Sequence, residues 1–267
     1  MIATDAVARL KASNVRKAFQ ANDGNEYIAL AGVSLSVSPH EFVSVIGPSG
    51  CGKSTFLRIV AGLDQPNAGK IVVNGREVSK PGADRGMVFQ EYALLPWKTA
   101  LANVAFGLQI RGIAKEERLS VARQYLALVG LSDFEGYYPH QLSGGMRQRT
   151  AVARALANQP SILLMDEPFA AIDALTRKNL QEELSQIGVK EKTTVLFVTH
   201  SIEEAVFLSD RVVVLSERPS SVIEEVCIDI PRPRRWDALI GDSEFIKRRD
   251  HLLKLLNYTD QVQPGHV

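Results

Sequence analysis

The sequence predicts an α/β fold built on a mainly parallel sheet, and three observations carry that prediction. Short apolar runs recur at Ile71-Val72-Val73, Gly86 to Phe89, Ile162 to Met165, Val195 to Val198 and Val212 to Leu215, with helical patterns between several of them. A glycine loop, Gly47-Pro48-Ser49-Gly50-Cys51-Gly52-Lys53-Ser54-Thr55, lies between the apolar run Phe42 to Ile46 and the helix-like Phe56-Leu57-Arg58-Ile59-Val60. The run Ile162-Leu163-Leu164-Met165 ends in two carboxylates, Asp166 and Glu167, at the carboxyl end of a strand that reads as buried on both faces, where doubly wound sheets hold their ligands.

Taken in chain order, Val7 to Val45 alternates and is punctuated by Gly32 and Pro39, which predicts antiparallel strands. The glycine loop follows. Its spacing, G-x-x-x-x-G-K-[ST], lets successive backbone N–H groups turn inward around phosphate oxygens while the helix behind it adds the positive end of its dipole. Lys53 supplies a point charge for β- and γ-phosphates, and the Ser54 hydroxyl is a ligand for Mg²⁺. Cys51 sits in this loop at a helix start, which favours a thiolate, yet a free loop position also accepts it as a small side chain.

From Ala100 to about Asn158 the pattern is continuously helical. Within it, Leu142-Ser143-Gly144-Gly145-Met146-Arg147-Gln148 is a second glycine-led helix start: Ser143 can cap the helix while the Gly144 and Gly145 amides lie open to an anion. One nucleotide does not obviously need two such starts, so the second reads either as an ordinary cap and turn or as a contact to a nucleotide held by another subunit. Asp166 is the candidate magnesium-binding acid. Glu167, a second carboxylate beside the γ-phosphate, can orient or deprotonate a water for in-line attack. His200 ends the apolar strand Val195 to Val198, a better place for a ligand contact than most histidines occupy. The chain closes with Pro231-Arg232-Pro233-Arg234-Arg235, read as a solvated extended linker, and an amphipathic helix around Glu244 to Leu256.

Composition bounds the function. With 267 residues, 45% of them hydrophobic, the chain can bury a full core, and 31 basic against 30 acidic residues leave a net charge of +1 with no general pull toward nucleic acid. Two cysteines exclude a disulfide framework and fit a reducing compartment. No run approaches the roughly 18 apolar residues of a membrane span, and Met1 to Leu10 lacks a signal peptide's basic and apolar regions, so membrane contact is expected only through partners.

In order and spacing these residues resemble the ATP-binding subunit of an ABC transporter, over roughly Val7 to Ile230. Gly47 to Thr55 matches the Walker A loop, Leu142 to Gln148 the LSGGQ signature and Ile162 to Glu167 the Walker B strand. Gln90 matches the Q-loop, Asp173 the D-loop and His200 the switch histidine. The resemblance implies a P-loop NTPase over 7–230, with an N-terminal antiparallel β subdomain and an inserted helical subdomain at about 100–158. Residues 231–267 then form a linker and C-terminal helical extension. It implies two such subunits, as an expected homodimer, packed head to tail with each ATP between Walker A of one and Ser143-Gly144-Gly145 of the other. Glu167 would be the general base, His200 would contact the γ-phosphate, and Gln90 would reach Mg²⁺ and the water, with Ser54 and Asp166 as the other metal ligands. Phe19 resembles the aromatic that stacks on adenine, with Tyr27 the nearby alternative and a core phenylalanine the plain reading.

Two departures stand out. Ala170-Ala171-Ile172-Asp173 replaces the commoner Ser-Ala-Leu-Asp but keeps the aspartate. Ser201 follows His200 where many relatives have Asp, and Ser201-Ile202-Glu203-Glu204 reads as a capping box in which Glu204 bonds back to the cap.

Tyr92-Ala93-Leu94-Leu95-Pro96-Trp97 is unusually apolar for a loop and should be covered by something. The resemblance makes it the groove for a transmembrane permease subunit; otherwise it folds into its own core. The segments around Gln90, Leu94 to Trp97, Asn103 to Leu108 and Asp166 to Phe169 most resemble the nitrate, sulfonate and taurine importer branch. That implies a peripheral subunit at the cytoplasmic face of the cell membrane, linked indirectly to a solute-binding protein. A soluble ABC ATPase of DNA repair or translation is the alternative, but it would typically bring a coiled-coil insertion, zinc-binding cysteines or a second cassette. A P-loop kinase or GTPase gives the signature stretch and His200 no role.

Overall fold

The computed structural model describes residues 8–20 and 24–261. Val7, where the resemblance begins, and the last residues of the expected extension, 262–267, lie outside them. The elements are β1 (Leu10–Gln20), β2 (Glu26–Val37), β3 (Phe42–Ile46), α1 (Lys53–Ala61), β4 (Ala68–Val73), β5 (Arg76–Glu77) and β6 (Arg85–Val88). Then come α2 (Ala100–Val104), α3 (Phe106–Ile110), α4 (Lys115–Leu128), α5 (Gly144–Ala157), β7 (Ile162–Asp166), α6 (Ala174–Lys190) and β8 (Val195–Val198). The chain ends with α7 (Ile202–Leu208), β9 (Arg211–Leu215), β10 (Val222–Cys227), α8 (Trp236–Leu239) and α9 (Ser243–Gln261).

Two sheets organise these elements. A six-stranded sheet has the order β10-β9-β3-β8-β7-β6, parallel throughout except for β10, and an antiparallel sheet has the order β2-β1-β4-β5. The central strands are buried along their length because helices or the second sheet cover both faces. Alternation then sorts their side chains: Val43, Val45, Leu164, Leu196 and Val213 meet α1 and the antiparallel sheet. Phe42, Leu163, Met165, Phe197 and Val212 meet α5, α6, α7 and the helical layer on the other face. The helices α1 and α5 therefore lie on opposite sides of the parallel sheet.

The expected fold class holds, with three local differences. Phe42 to Ile46 leaves the alternating N-terminal region to become the centre of the parallel sheet, whereas Ile71 to Val73 joins the antiparallel one. Apolar content alone cannot distinguish these destinations. The region 100–158 is not one continuous helical run: Gly112 and Gly130, at φ 76° and 67°, interrupt it, and two single 3-10 turns lie at Ser132–Phe134 and Pro139–Gln141.

The third difference is at the expected solvated linker. Arg234 is only 4% exposed, and its guanidinium donates to the carbonyls of Val206, Phe207, Ser209 and Ile230 around the end of α7. Arg232 donates to Leu208 and Asp210 beside it. Burial pushes the Arg234 guanidinium down to about 10, so it remains protonated at neutral pH. Trp236 then stacks on Phe207 with centroids 4.3 Å apart. Two arginines thus satisfy carbonyls that α7 cannot pair internally. Arg234→Leu is expected to destabilise the protein by about 3 kcal/mol, because several buried acceptors lose their donor together. Thermal unfolding should move down by roughly 10 °C; an unchanged midpoint would mean that these carbonyls find water instead.

Candidate nucleotide site

The site is assembled at the carboxyl edge of β3, β8 and β7, three adjacent parallel strands. At the end of β3 the glycine loop turns into α1 through Gly52, whose φ of 106° no other residue type adopts readily. Lys53 is 6% exposed, and its ammonium donates to the carbonyls of Gly47 at 2.8 Å and Pro48 at 2.9 Å, which holds the charge at the loop. Cys51 belongs to the apolar core beneath. Burial pushes its thiol up against the pull of Lys53, so it serves as a small core side chain rather than as a thiolate.

Strand register brings the next groups in. β8 pairs with β3 and β7 on either side, and Val198 lies opposite both Val45 and Asp166. Across this edge the Ser54 hydroxyl donates to Asp166 Oδ1 at 2.8 Å. Burial raises the Asp166 carboxyl; the Ser54 hydrogen bond opposes that and the neighbouring Glu167 charge adds to it. Glu167 has a left-handed backbone, φ 44°, an uncommon conformation for a side chain without a local hydrogen-bonding reason to adopt it. Its amide donates to Val198, and its Oε2 lies 3.0 Å from His200 Nδ1. A hydroxyl–carboxylate pair and a carboxylate–imidazole pair therefore sit beside the glycine loop.

Gln90 follows β6 on the far side of β7 and is exposed. Beyond it Tyr92 and Ala93 are both left-handed, and Arg154 of α5 donates to their carbonyls at 3.0 and 2.6 Å. Asn103, wholly buried, exchanges hydrogen bonds with the backbone of Leu95. The apolar segment divides between its two expected fates: Tyr92 and Leu94 pack against the core, while Trp97 is 71% exposed.

Ser143 caps α5, its hydroxyl accepting from the Met146 amide, and Asp173 caps α6, its carboxylate accepting from Thr176. That bond holds the Asp173 carboxyl below the usual range. Gly145 allows close packing of these two helix starts, since a Cβ there would come 2.8 Å from the Thr176 methyl. The structure joins the start of α5 to the start of α6 and to Tyr92 beyond Gln90, and places α5 on the opposite sheet face from α1. Phe19 and Tyr27 are cross-strand partners with rings 5.6 Å apart, so both aromatic candidates occupy one place.

Some neighbours of the site were not legible. Arg218 lies over Tyr27 and near Gly50, but nothing in its local sequence marks it. The capping box is only half formed and its expected return bond is a correction. Ser201 accepts from the Glu204 amide, but the Glu204 carboxylate turns inward to Thr199 and Gln181. Two buried donors compete better for it than one backbone amide.

The chain is similar to known proteins. The family model described as ABC transporter matches residues 30–170. An uncharacterized ABC transporter ATP-binding protein of Methanocaldococcus jannaschii is 55% identical over 248 residues, 93% of this chain and 91% of the relative. The nitrate import ATP-binding protein NrtC of Synechococcus elongatus is 45% identical across 92% of this chain, and the bicarbonate transport ATP-binding protein CmpC of the same organism is 45% identical across 94%. The chain spans only 38% of the length of these last two. A solved ATP-binding cassette, described as a dimeric post-hydrolysis state bound to ADP and Pi, superposes with a TM-score of 0.73 at 34% identity. It covers 83% of this chain and 100% of its own.

Proposed function

This chain belongs to the ABC transporter family, as an ATP-binding and ATP-hydrolysing subunit, and on that premise we propose that it energises an importer of a small solute such as nitrate, a sulfonate, taurine or bicarbonate. Similarity to the nitrate and bicarbonate ATP-binding proteins supports the importer, and the Ser54–Asp166 contact beside the Glu167–His200 pair, both at the edge that holds the glycine loop, supports ATP hydrolysis. A hydroxyl and a carboxylate 2.8 Å apart offer the hard oxygen ligands that Mg²⁺ takes, so the site fits the ion, with Gln90 as a further ligand. Bound there, Mg²⁺ would neutralise charge developing on the β- and γ-phosphates.

The chain's own groups divide the remaining work. Backbone amides from Gly47 to Thr55 and the Lys53 ammonium bind the phosphates, and Phe19 offers its ring to adenine. Glu167 accepts the proton of the attacking water, and His200, hydrogen-bonded to it, holds that carboxylate's orientation at the γ-phosphate. Ser143, Gly144, Gly145 and Asp173 face the nucleotide of a second subunit. Their support is the separation of α5 from α1 across the sheet, together with the dimeric description of the similar cassette.

The cassette is proposed to occupy 7–230, with the helical subdomain near 100–158 and the extension at 231–267. No helix among the described residues is long and apolar enough to cross a membrane. Attachment to the cytoplasmic face is proposed through permease subunits seated on Tyr92 to Trp97. A solute-binding protein would act further off, and no nucleic acid is expected. Trp97→Glu should accordingly leave the ATPase of the isolated chain near its normal rate and abolish pull-down of the permease. A variant that unfolds instead would return this segment to the core. Identifying the membrane subunits that co-purify, and the ligand of the associated binding protein, tests the importer reading itself.

A further inference from the structure

Three polar side chains next to the site are buried: Thr199 and Gln181 are 1% exposed and Glu204 is 6% exposed. They form one network. Thr199 Oγ1 donates to Glu204 Oε2 at 2.7 Å, and Gln181 Nε2 donates to Glu204 Oε1 at 2.9 Å, so each carboxylate oxygen has its own donor. With its proton committed to Glu204, the Thr199 hydroxyl presents its lone pairs to the Ser201 amide, which donates to it at 3.0 Å. Ser201 in turn receives the Glu204 amide at 3.2 Å. The residues on both sides of His200 are thus clamped, and the clamp is anchored on α6, the helix that Asp173 caps.

Helix capping alone does not require this arrangement. Ser201 already caps α7, and the carboxylate at the third helical position, Glu204, is spent on Thr199 and Gln181 rather than on the cap. Taking a carboxylate out of water is costly unless its hydrogen bonds are well formed, and such networks fix one geometry where apolar packing would allow several. The geometry in question is that of His200, whose Nδ1 meets Glu167.

We propose that Gln181, Glu204 and Thr199 are positioning residues that hold His200 against Glu167 and tie the switch histidine to the D-loop helix. This rests on the reading of His200 as a group acting at the nucleotide. Movement of α6 at the subunit interface would then reach the chain's own Glu167–His200 pair through two side-chain hydrogen bonds.

The test uses steady-state ATP hydrolysis by the full-length chain carrying Thr199→Val or Thr199→Ser, each in the native and His200→Ala backgrounds. Thr199→Val keeps the shape and removes the hydroxyl; it should lower kcat by about 10- to 100-fold with little change in the KM for ATP. Thr199→Ser keeps the hydroxyl and should recover most of the rate. In the His200→Ala background Thr199→Val should cost nothing more, because its effect passes through the imidazole. Should Thr199→Val fail to fold, Gln181→Leu takes its place with the same expected non-additivity. Equal losses in both backgrounds overturn the network as a positioning device. A His200→Ala protein of normal rate overturns the assignment of His200 and the network with it.

Discussion

Glu167→Gln is expected to slow ATP hydrolysis by about 10²- to 10⁴-fold, the range set by loss of a general base, while ATP binding persists. The amide keeps the size of the side chain, and its oxygen can still accept from His200, which the carboxylate meets at 3.0 Å in the native protein. What it loses is basicity. The left-handed backbone at this residue is held by the hydrogen bond its N–H donates to the Val198 carbonyl and by the strand, neither of which involves the side chain, so the fold should be retained. Single-turnover hydrolysis and nucleotide binding by fluorescence, measured on the same preparation, separate the two quantities. A variant that hydrolyses ATP at the native rate would remove Glu167 from the chemistry.

Lys53→Ala should remove most ATP binding and reduce hydrolysis by about 10²- to 10³-fold or more, the scale observed when one preorganised electrostatic contact to a transition state is deleted. A small cost in stability accompanies it. Lys53 is a buried side chain donating to two loop carbonyls. Losing those bonds should destabilise the protein by about 1–2 kcal/mol, a few degrees in the melting temperature of a chain this size. Native activity in a properly folded Lys53→Ala protein would take the phosphate loop out of the mechanism.

What the sequence made legible was local. Glycine spacing, a buried strand ending in acids and a histidine at a strand end each announce themselves over fewer than about ten residues. They place the phosphate loop, Asp166, Glu167 and His200, and the fold then brings them to one edge. The illegible features depend on partners distant in sequence. The Pro231 to Arg235 stretch looks solvated until α7 offers its terminal carbonyls to Arg234. Glu204 looks like the second half of a cap until Gln181, on another helix, competes for it. Sheet membership has the same cause: Phe42 to Ile46 and Ile71 to Val73 are both apolar runs, and only pairing sends them to different sheets. A threonine before a histidine carries no signal of its own. Its buried hydroxyl becomes meaningful only when Glu204 is seen to accept from it.

The central claim is that each nucleotide is shared between the phosphate loop of one subunit and the signature of another, since α1 and α5 lie on opposite faces of a single chain's sheet. Size-exclusion chromatography of Glu167→Gln protein tests it most directly, because a complex that cannot hydrolyse its ATP should persist on the column. ATP should convert monomer to dimer, ADP should not, and adding Ser143→Arg should abolish the conversion by placing a large side chain where the facing phosphate must sit. A Glu167→Gln protein that stays monomeric at saturating ATP, even when assembled with its permease, or a Ser143→Arg double variant that dimerises normally, would contradict the shared site.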